Sequence, residues 1–299
     1  MKYFVHRAED LEFDADAGGE LRGSFAALSA GVTHFELGGP ATGELVVLVP
    51  GLTVPLLYWD GVARELHDRG FRTLSYSAYG RGYSERSRSE YDEAMFVRQL
   101  DDLLSYVNIG GRPHLVGTSM GALIAMAYAA DRPEAVSSLS LIGPAGMSTK
   151  AALQQKALSV DMLAKLVAQR FGRKILLGHL GHNVLDPALV EPLTKMVVDC
   201  FRYEGSMYAF FSTLQNYPLT GRTELFRRIG QTATPTLLAW GSEDAVTPVS
   251  GFGQASALLR PAMAEVIGDC GHMAPYERPA RTAELLATFI DNERERTTS

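Results

Sequence analysis

The segment from His114 to Ala130 constrains the fold of this 299-residue chain more than any other stretch. The apolar run His114–Gly117 leads into Ser119, which stands between two glycines, and the apolar stretch Met120–Ala130 follows. The run is typical of a buried strand, and the stretch after it is typical of a buried helix. Flanking glycines permit a sharp turn that lifts a serine hydroxyl clear of a sheet. The sequence therefore predicts a strand, a tight turn that presents Ser119, and a helix.

Strand patterns and helix patterns alternate through most of the chain around that turn. Continuous apolar runs fit strands that are buried on both faces, as in a parallel sheet. The predicted strands are Ser24–Leu28, Val32–Leu37, Leu45–Val49, Arg72–Ser77, His114–Gly117, Val136–Ile142, Pro235–Trp240 and Ala264–Ile267. The first two form a predicted antiparallel hairpin, and the others alternate with helices. The expected fold class is α/β, with a mostly parallel sheet flanked by helices.

The alternation stops between residues 146 and 230. The patterns there predict helices at Ala151–Phe171, Asp186–Arg202 and Glu204–Asn216. We therefore predict a core formed by residues 1–145 and 231–299, and a helical cap, or lid, formed by residues 146–230. An insertion after the sixth strand would lie over the carboxyl ends of the strands, where ligands bind in open α/β sheets.

Two polar loops follow the last two predicted strands. Asp244 ends the loop Gly-Ser-Glu-Asp, and His272 ends the loop Gly-Asp-Cys-Gly-His. A serine hydroxyl is a weak nucleophile unless a base removes its proton and a third group orients that base. The order serine, acid, histidine is the one expected when the nucleophile stands on a strand-to-helix turn. We therefore predict Ser119 as nucleophile, His272 as general base and Asp244 as the group that orients the base.

The competing residues fit these roles less well. The other histidines are His6, His34, His67, His114, His179 and His182. The first four fall in predicted strands or helices, whereas the last two fall in the insertion, where they could line a pocket. Among the acids, Glu243 would point away from the site in an extended loop. Asp269 stands three residues before His272 and is expected to shape that loop.

Composition excludes several classes of protein. The 28 basic and 34 acidic residues are interspersed and give a net charge of −6, so we expect no nucleic-acid partner. Cys200 and Cys270 have no metal-binding spacing and are expected to be reduced thiols. We see no signal peptide and no apolar stretch near the roughly 20 residues that span a bilayer. A cytoplasmic protein without stable membrane insertion is expected, and no strongly basic amphipathic face supports a membrane-docking cap.

Three motifs together resemble those of the α/β-hydrolase family. They are Gly117-Thr118-Ser119-Met120-Gly121, Trp240-Gly241-Ser242-Glu243-Asp244 and Cys270-Gly271-His272-Met273-Ala274-Pro275-Tyr276-Glu277-Arg278-Pro279. The resemblance covers nearly the whole chain and includes the inserted helical cap. The segments around Ser119 and at Gly143-Pro144-Ala145-Gly146 resemble serine hydrolases of the monoacylglycerol lipase and esterase-like branch. That branch hydrolyses carboxylic esters without a cofactor.

Two positions depart from the family pattern. Relatives often have His-Gly after the first core strand, where this chain has Pro50-Gly51 followed by Leu52. By position, the resemblance assigns the oxyanion hole to the backbone N–H groups of Leu52 and Met120. Relatives also usually have an aspartate at the position of Ser77, a difference that concerns the loop more than the chemistry.

The resemblance implies cleavage of a carboxylic ester with a small apolar or acyl-chain group, through an acyl-enzyme. Aromatic and methionine side chains are the candidate substrate contacts: Trp59, Met147, Tyr208, Phe211 and Met273. Three alternatives stay open: a lactonase or C–C bond hydrolase with the same triad, an acyltransferase or perhydrolase, and a small-molecule receptor. We expect no cofactor and no metal, and a monomer or homodimer.

Overall fold

An eight-stranded sheet forms the centre of the computed structural model, which describes residues 1–12, 21–148, 160–180 and 184–298. The strands are β1 (Ser24–Leu28), β2 (Gly31–Gly38), β3 (Leu45–Val49), β4 (Arg72–Tyr76), β5 (His114–Thr118), β6 (Ser138–Ile142), β7 (Thr236–Gly241) and β8 (Met263–Ile267). Their spatial order is β1-β2-β4-β3-β5-β6-β7-β8. β2 pairs antiparallel with β1 and β4, and all the other neighbours are parallel. The predicted α/β fold with a mostly parallel sheet is confirmed.

The central strands are buried along their whole length, as their continuous apolar runs predict. Every residue of β3, β5 and β6 is buried, because neighbouring strands and flanking helices cover both faces of the sheet. The helices of this part are α1 (Asp60–Asp68), α2 (Glu93–Val107) and α3 (Met120–Asp131). α2 begins at an N-cap, Asp92, whose side chain accepts a hydrogen bond from the backbone N–H of Met95 at 2.8 Å.

Four helices lie between β6 and β7 in the described part of the chain. They are α4 (Asp161–Leu180), α5 (Pro187–Cys200), α6 (Ser206–Asn216) and α7 (Thr223–Ile229). The chain continues after β7 with α8 (Phe252–Leu259), α9 (Ala274–Glu277) and α10 (Pro279–Thr298). None of the helices within the described ranges is long and apolar enough to cross a membrane.

Helix α4 extends further than the sequence pattern indicated. The predicted helix ended at Phe171, and its first residues, 151–159, lie outside the described residues. The observed helix continues to Leu180 because its packed stripe continues through Gly172 and Leu176. A Cβ on Gly172 would lie 2.8 Å from the sulfur of Met207, so this position needs a residue without a side chain. The prediction stopped short because glycine is a poor helix former in isolation.

Candidate active site

Ser119 occupies a strained turn between β5 and α3. Its φ of +53° and ψ of −117° are rare for a residue with a side chain. A Cβ on Gly117 would collide with the backbone of Gly121, and a Cβ on Gly121 would collide with the carbonyl oxygen of Val49. The Ser119 N–H donates a hydrogen bond to the carbonyl oxygen of Ile142 at 3.1 Å, which fixes the turn to β6. The two glycines are therefore required by close backbone contact.

Asp244 and His272 form a buried pair at the ends of β7 and β8. Nδ1 of His272 lies 2.8 Å from Oδ2 of Asp244, and the two side chains are 1% and 0% exposed. The other carboxylate oxygen, Oδ1, accepts hydrogen bonds from the backbone N–H groups of Val246 and Thr247 at 2.9 and 2.8 Å. These bonds hold the carboxylate in one orientation, so the Asp244 side chain fixes the tautomer and the ring plane of His272.

Thr247 is a site residue that the sequence patterns did not reveal. Its Oγ1 lies 2.8 Å from Oδ2 of Asp244, 3.2 Å from Nδ1 of His272 and 3.1 Å from the carbonyl oxygen of Gly143. Its own carbonyl oxygen accepts a hydrogen bond from the indole N–H of Trp240 at 2.6 Å. Thr247 therefore connects the acid–histidine pair to β6 and β7. In the sequence, the only sign of this role is that Thr247 carries a hydroxyl and stands three residues after Asp244.

A cavity of about 420 Å³ opens beside these residues. Ser119, Leu52, Met120 and Thr247 all line it. The loop after β3 abuts the nucleophile turn, since the Cβ position of Gly51 lies 3.7 Å from Cβ of Ser119. The cavity thus brings together the predicted nucleophile, both residues predicted for the oxyanion hole and the threonine that contacts the acid–histidine pair.

The remaining cavity wall is mostly apolar, with a few polar groups. Its lining residues include Met147, His179, Leu219, Thr220, Trp240 and Gln254. The first four belong to the segment 146–230 that interrupts the α/β alternation. His179 lines the cavity, which is one of the positions the sequence allows for it, whereas His182 lies outside the described residues. Such a wall suits a ligand with an apolar body and a small number of polar atoms.

Of the five candidate substrate contacts, Met147 lines this cavity. The structure places Trp59, Tyr208, Phe211 and Met273 outside the cavity lining, each no more than 5% exposed. Trp59 packs edge-on against a tyrosine ring, and Phe211 packs in the same way against the neighbouring phenylalanine of α6. These four large side chains instead fill the space between helices and strands. Sequence alone does not distinguish a side chain that packs there from one that lines a cavity.

The competing histidines His67 and His114 have structural partners elsewhere, and the competing acid Glu243 is exposed. His67 and His114 contact the hydroxyls of Thr73 and Ser138 at 2.7 and 2.8 Å, and burial lowers the pKa of both imidazoles. Glu243 points into solvent as expected. These contacts stabilise the core or its surface at a distance from the cavity.

The sequence model of the alpha/beta hydrolase family matches residues 46–285 of this chain. The chain belongs to the α/β-hydrolase family. That range contains the turn of Ser119, the loops of Asp244 and His272, and the four helices between β6 and β7. The resemblance seen in the three motifs is therefore confirmed.

Several named proteins are similar to this chain at low sequence identity. Monoacylglycerol lipase abhd6-B of Xenopus laevis is 26% identical over 264 residues, which cover 85% of this chain and 77% of the relative. A thermophilic esterase from Thermogutta terrifontis superposes with a TM-score of 0.73 at 22% identity, covering 90% of this chain and 98% of its own. A meta-cleavage product hydrolase from Pseudomonas fluorescens IP01 also gives a TM-score of 0.73, at 22% identity and with the same coverage.

Ser77 organises the loop after β4 in this α/β-hydrolase. Its side-chain oxygen accepts a hydrogen bond from the N–H of Leu56 at 3.1 Å. Its carbonyl oxygen accepts hydrogen bonds from Oγ of Ser84 at 2.7 Å and from Nε2 of Gln99 at 3.2 Å. A fully buried serine therefore ties the loop after β4 to the segment of Leu56 and to α2, and closes the loop on itself through Ser84.

Glu277 holds the histidine loop from behind in this α/β-hydrolase. Its buried carboxylate accepts hydrogen bonds from the backbone N–H of Gly271, next to the histidine, and from the N–H groups of Leu185 and Asp186. A buried carboxylate needs such donors, because an unpaired buried charge is costly. Glu277 thus connects the loop of His272 to the start of α5.

Proposed function

We propose that this chain is a serine hydrolase that cleaves a carboxylic ester with a small apolar or acyl-chain group. The observation that carries the proposal is the buried 2.8 Å contact between Asp244 and His272 beside a cavity that Ser119 lines. A strained serine turn and a buried acid–histidine pair at the same end of one sheet are the parts that nucleophilic acyl transfer requires. The name of the Xenopus laevis relative, a monoacylglycerol lipase, agrees with this proposal.

In the proposed mechanism, His272 removes the proton of the Ser119 hydroxyl as the oxygen attacks the ester carbonyl. Asp244 accepts the Nδ1–H bond of the imidazole and stabilises the cation that forms. The histidine then gives the proton to the departing alcohol, which leaves an acyl group on Ser119. Water, deprotonated by the same histidine, attacks the acyl-enzyme and releases the acid.

The negative charge on the carbonyl oxygen requires donors that are already in place. We assign this role to the backbone N–H groups of Leu52 and Met120, since both residues line the cavity with Ser119. Loss of one such donor costs on the order of 100- to 1000-fold in rate. The donors are backbone groups, so a proline at position 50 in place of the family's usual histidine is compatible with the chemistry.

The cavity supports a substrate of moderate size. Its volume of about 420 Å³ lies within the range for small-molecule sites, roughly 300–1,000 Å³. The apolar wall of Met147, Leu219 and Trp240 favours an acyl chain or a ring. We propose that residues 146–230 form a cap that sets this preference, because they supply four of the lining residues discussed above.

Ser119→Ala tests the proposal with p-nitrophenyl esters of increasing acyl length. We expect hydrolysis to fall to background while the circular dichroism spectrum and melting temperature stay close to those of the unchanged protein. Wild-type esterase activity in Ser119→Ala would refute the assignment. A lactone panel and a diketone panel, assayed in parallel, separate ester hydrolysis from lactone and C–C bond cleavage by their relative kcat/KM values.

The setting we propose is the cytoplasm, with a monomer or homodimer and no stable membrane insertion. Cys200 and Cys270 are free and buried, which agrees with a reducing compartment. A dinucleotide, metal or other cofactor is not required by any step of the proposed mechanism.

A further inference from the structure

Glu277 is a buried carboxylate that the proposed chemistry does not use. It is the last residue of the short helix α9 and is 5% exposed. Its carboxylate accepts hydrogen bonds from three backbone N–H groups, which belong to Gly271, Leu185 and Asp186. Burial of a charge costs free energy, which these hydrogen bonds offset. The donors fall in two segments that are far apart in the chain, and an apolar side chain at position 277 would not link them.

One oxygen of Glu277 holds the backbone immediately before His272. Oε1 accepts a hydrogen bond from the N–H of Gly271, and the carbonyl oxygen of Gly271 lies against the end of β7, where a Cβ on Gly241 would be 2.1 Å from it. The N–H of Glu243 donates a hydrogen bond to the preceding carbonyl oxygen at 2.9 Å. The backbone that carries His272 is therefore fixed between the acid loop on one side and Glu277 on the other.

The other oxygen holds the start of α5 in the segment between β6 and β7. Oε2 accepts hydrogen bonds from the N–H groups of Leu185 and Asp186, the latter at 3.2 Å. Asp186 is also the N-cap of α5, since its side chain accepts a hydrogen bond from the N–H of Ala188 at 2.9 Å. Leu185 follows His179, a residue of the cavity wall, by six positions. The chain that enters α5 is thus anchored to the same side chain as the histidine loop.

We propose that Glu277 is a positioning residue that couples the start of α5 to the orientation of His272. The inference rests on the proposed esterase function, in which His272 must meet Ser119 in one orientation. Asp244 holds the imidazole at Nδ1, and Glu277 holds the backbone from which the imidazole extends. A misplacement of about 1 Å far from the reacting atoms can lower a rate by about 100-fold. A displacement at the start of α5 therefore reaches the histidine through one carboxylate.

A glutamine cannot replace Glu277 in this arrangement. The carboxylate accepts on both oxygens, whereas an amide has one accepting oxygen and one N–H₂ group that only donates. In either orientation of the amide, its N–H₂ group would face the N–H of Gly271 or the N–H groups of Leu185 and Asp186. Glu277→Gln therefore breaks the link while it changes the size of the side chain very little.

Steady-state kinetics on a short soluble ester measure the effect on the reaction. We expect Glu277→Gln to lower kcat per titrated active site by about 10- to 100-fold while KM stays within about threefold. Asp269→Asn is the matched control, because it removes an exposed carboxylate three residues before His272 and breaks none of these bonds. The control should keep the kcat of the unchanged protein. The same kcat in Glu277→Gln would overturn the positioning role.

Hydrogen exchange followed by mass spectrometry tests the coupling without any substrate. Glu277→Gln should speed amide exchange by about tenfold or more both in residues 268–273 and in residues 184–188. Asp186→Pro removes one donor at the start of α5, and proline adopts the φ of −75° found at this position. Asp186→Ala removes the N-cap side chain but keeps the N–H, so it is the matched control. Exchange in residues 268–273 should rise in Asp186→Pro and stay unchanged in Asp186→Ala.

The exchange measurement separates this proposal from the esterase proposal. Unchanged exchange of residues 268–273 in Glu277→Gln and Asp186→Pro would overturn the coupling even if Ser119→Ala is inactive. Hydrolysis by Ser119→Ala would refute the esterase assignment and leave the exchange result as it stands. If Glu277→Gln does not fold, the two Asp186 variants decide the question, because equal exchange of residues 268–273 in both would overturn the coupling.

Discussion

Arg81 connects the loop that contains Leu52 to helix α6. Its Nε donates a hydrogen bond to the carbonyl oxygen of Leu52 at 2.8 Å, and its Nη2 donates one to Oγ1 of Thr213 at 2.7 Å. The guanidinium is fully buried, with the rings of Tyr91 and Phe96 at 5.7 and 5.5 Å. Burial lowers the pKa of Arg81 to about 10, so the side chain stays charged at neutral pH. The orientation of the peptide groups at Leu52 therefore depends on Arg81, which is itself held by Thr213 of helix α6.

Arg81→Lys is expected to reduce kcat while leaving KM within about twofold. Lysine keeps the charge but cannot reproduce the planar donor arrangement that holds Leu52 and Thr213 together. A misplaced oxyanion donor should lower kcat by about 10- to 100-fold. The measurement is steady-state kinetics on protein whose active sites have been titrated. Thr213→Val leaves the bond to Leu52 intact and should have a smaller effect, and a wild-type kcat per titrated site in Arg81→Lys would contradict the prediction.

Thr247→Val should reduce kcat/KM by about 10- to 100-fold. The change removes the hydroxyl from Oδ2 of Asp244, and a hydrogen bond to a charged group contributes roughly 1.5–3 kcal/mol. Thr247→Ser keeps the hydroxyl and should recover most of the activity. Rates of p-nitrophenyl ester hydrolysis measured for both variants check the prediction, and equal rates would show that the hydroxyl has no part in positioning the acid.

Asp244→Asn should reduce kcat by about 10⁴-fold at neutral pH without unfolding the protein. An amide in this position can present its N–H₂ group to Nδ1, which stabilises the wrong imidazole tautomer. Glu243→Gln changes the adjacent carboxylate, which points into solvent, and is the matched control. Comparable losses in both variants would argue against Asp244 as the orienting acid.

Gly143→Ala should impair activity more than the same substitution at another glycine with a positive φ. Gly143 has a φ of +48°, and a Cβ there would lie 3.1 Å from Oδ2 of Asp244 and 3.5 Å from Nδ1 of His272. Gly70 has a φ of +87° with open space around it, so Gly70→Ala introduces strain without contact with the site. Both variants should lose about 1–2 kcal/mol of stability, whereas the loss of kcat/KM should be confined to Gly143→Ala. Thermal denaturation and kinetics separate the two effects.

The two thiols should resist alkylation at pH 8 in the native protein. Burial raises the pKa of the Cys270 thiol to about 12 and that of the Cys200 thiol to about 11, from an ordinary value of 9.0. The thiolate fraction at pH 8 is therefore very small even though Cys270 lies two residues before His272. Reaction with a thiol reagent, followed with and without denaturant, tests this. Rapid labelling of the native protein would contradict it.

The same shifts predict lower stability at high pH. The native state keeps both thiol protons to a higher pH than the unfolded state does, so the free energy of unfolding falls as pH rises from about 9 towards 12. Combined Cys200→Ala and Cys270→Ala should flatten this part of the profile. Urea denaturation at pH 8 and at pH 10 measures the difference, and an unchanged slope in the double variant would exclude the thiols as its source.

Short sequence patterns predicted most of the strands and helices of this fold. The apolar runs of β3, β5 and β6 and the glycines around Ser119 specify backbone structure over a few residues, so they are readable without tertiary contacts. The end of α4 was predicted too early, because Gly172 weakens the local helix signal while its contact with α6 supports the helix. The sequence patterns did not reveal Arg81, because Leu52 and Thr213 lie in segments that only folding brings near. They did not reveal Thr247, because its contacts with Gly143 and His272 exist only in the folded chain.

The sequence by itself determined the α/β order of elements, the turn at Ser119, and the chain order of Ser119, Asp244 and His272. These features follow from hydrophobic periodicity and from the backbone freedom of glycine, which act over short distances. Only the tertiary structure decided which large apolar side chains face the cavity, the core or solvent. Met147 lines the cavity, Phe211 is buried between helices, and Leu166 is exposed, although all three are apolar residues of the segment between β6 and β7. Their positions differ because burial depends on which other parts of the chain pack against each side chain.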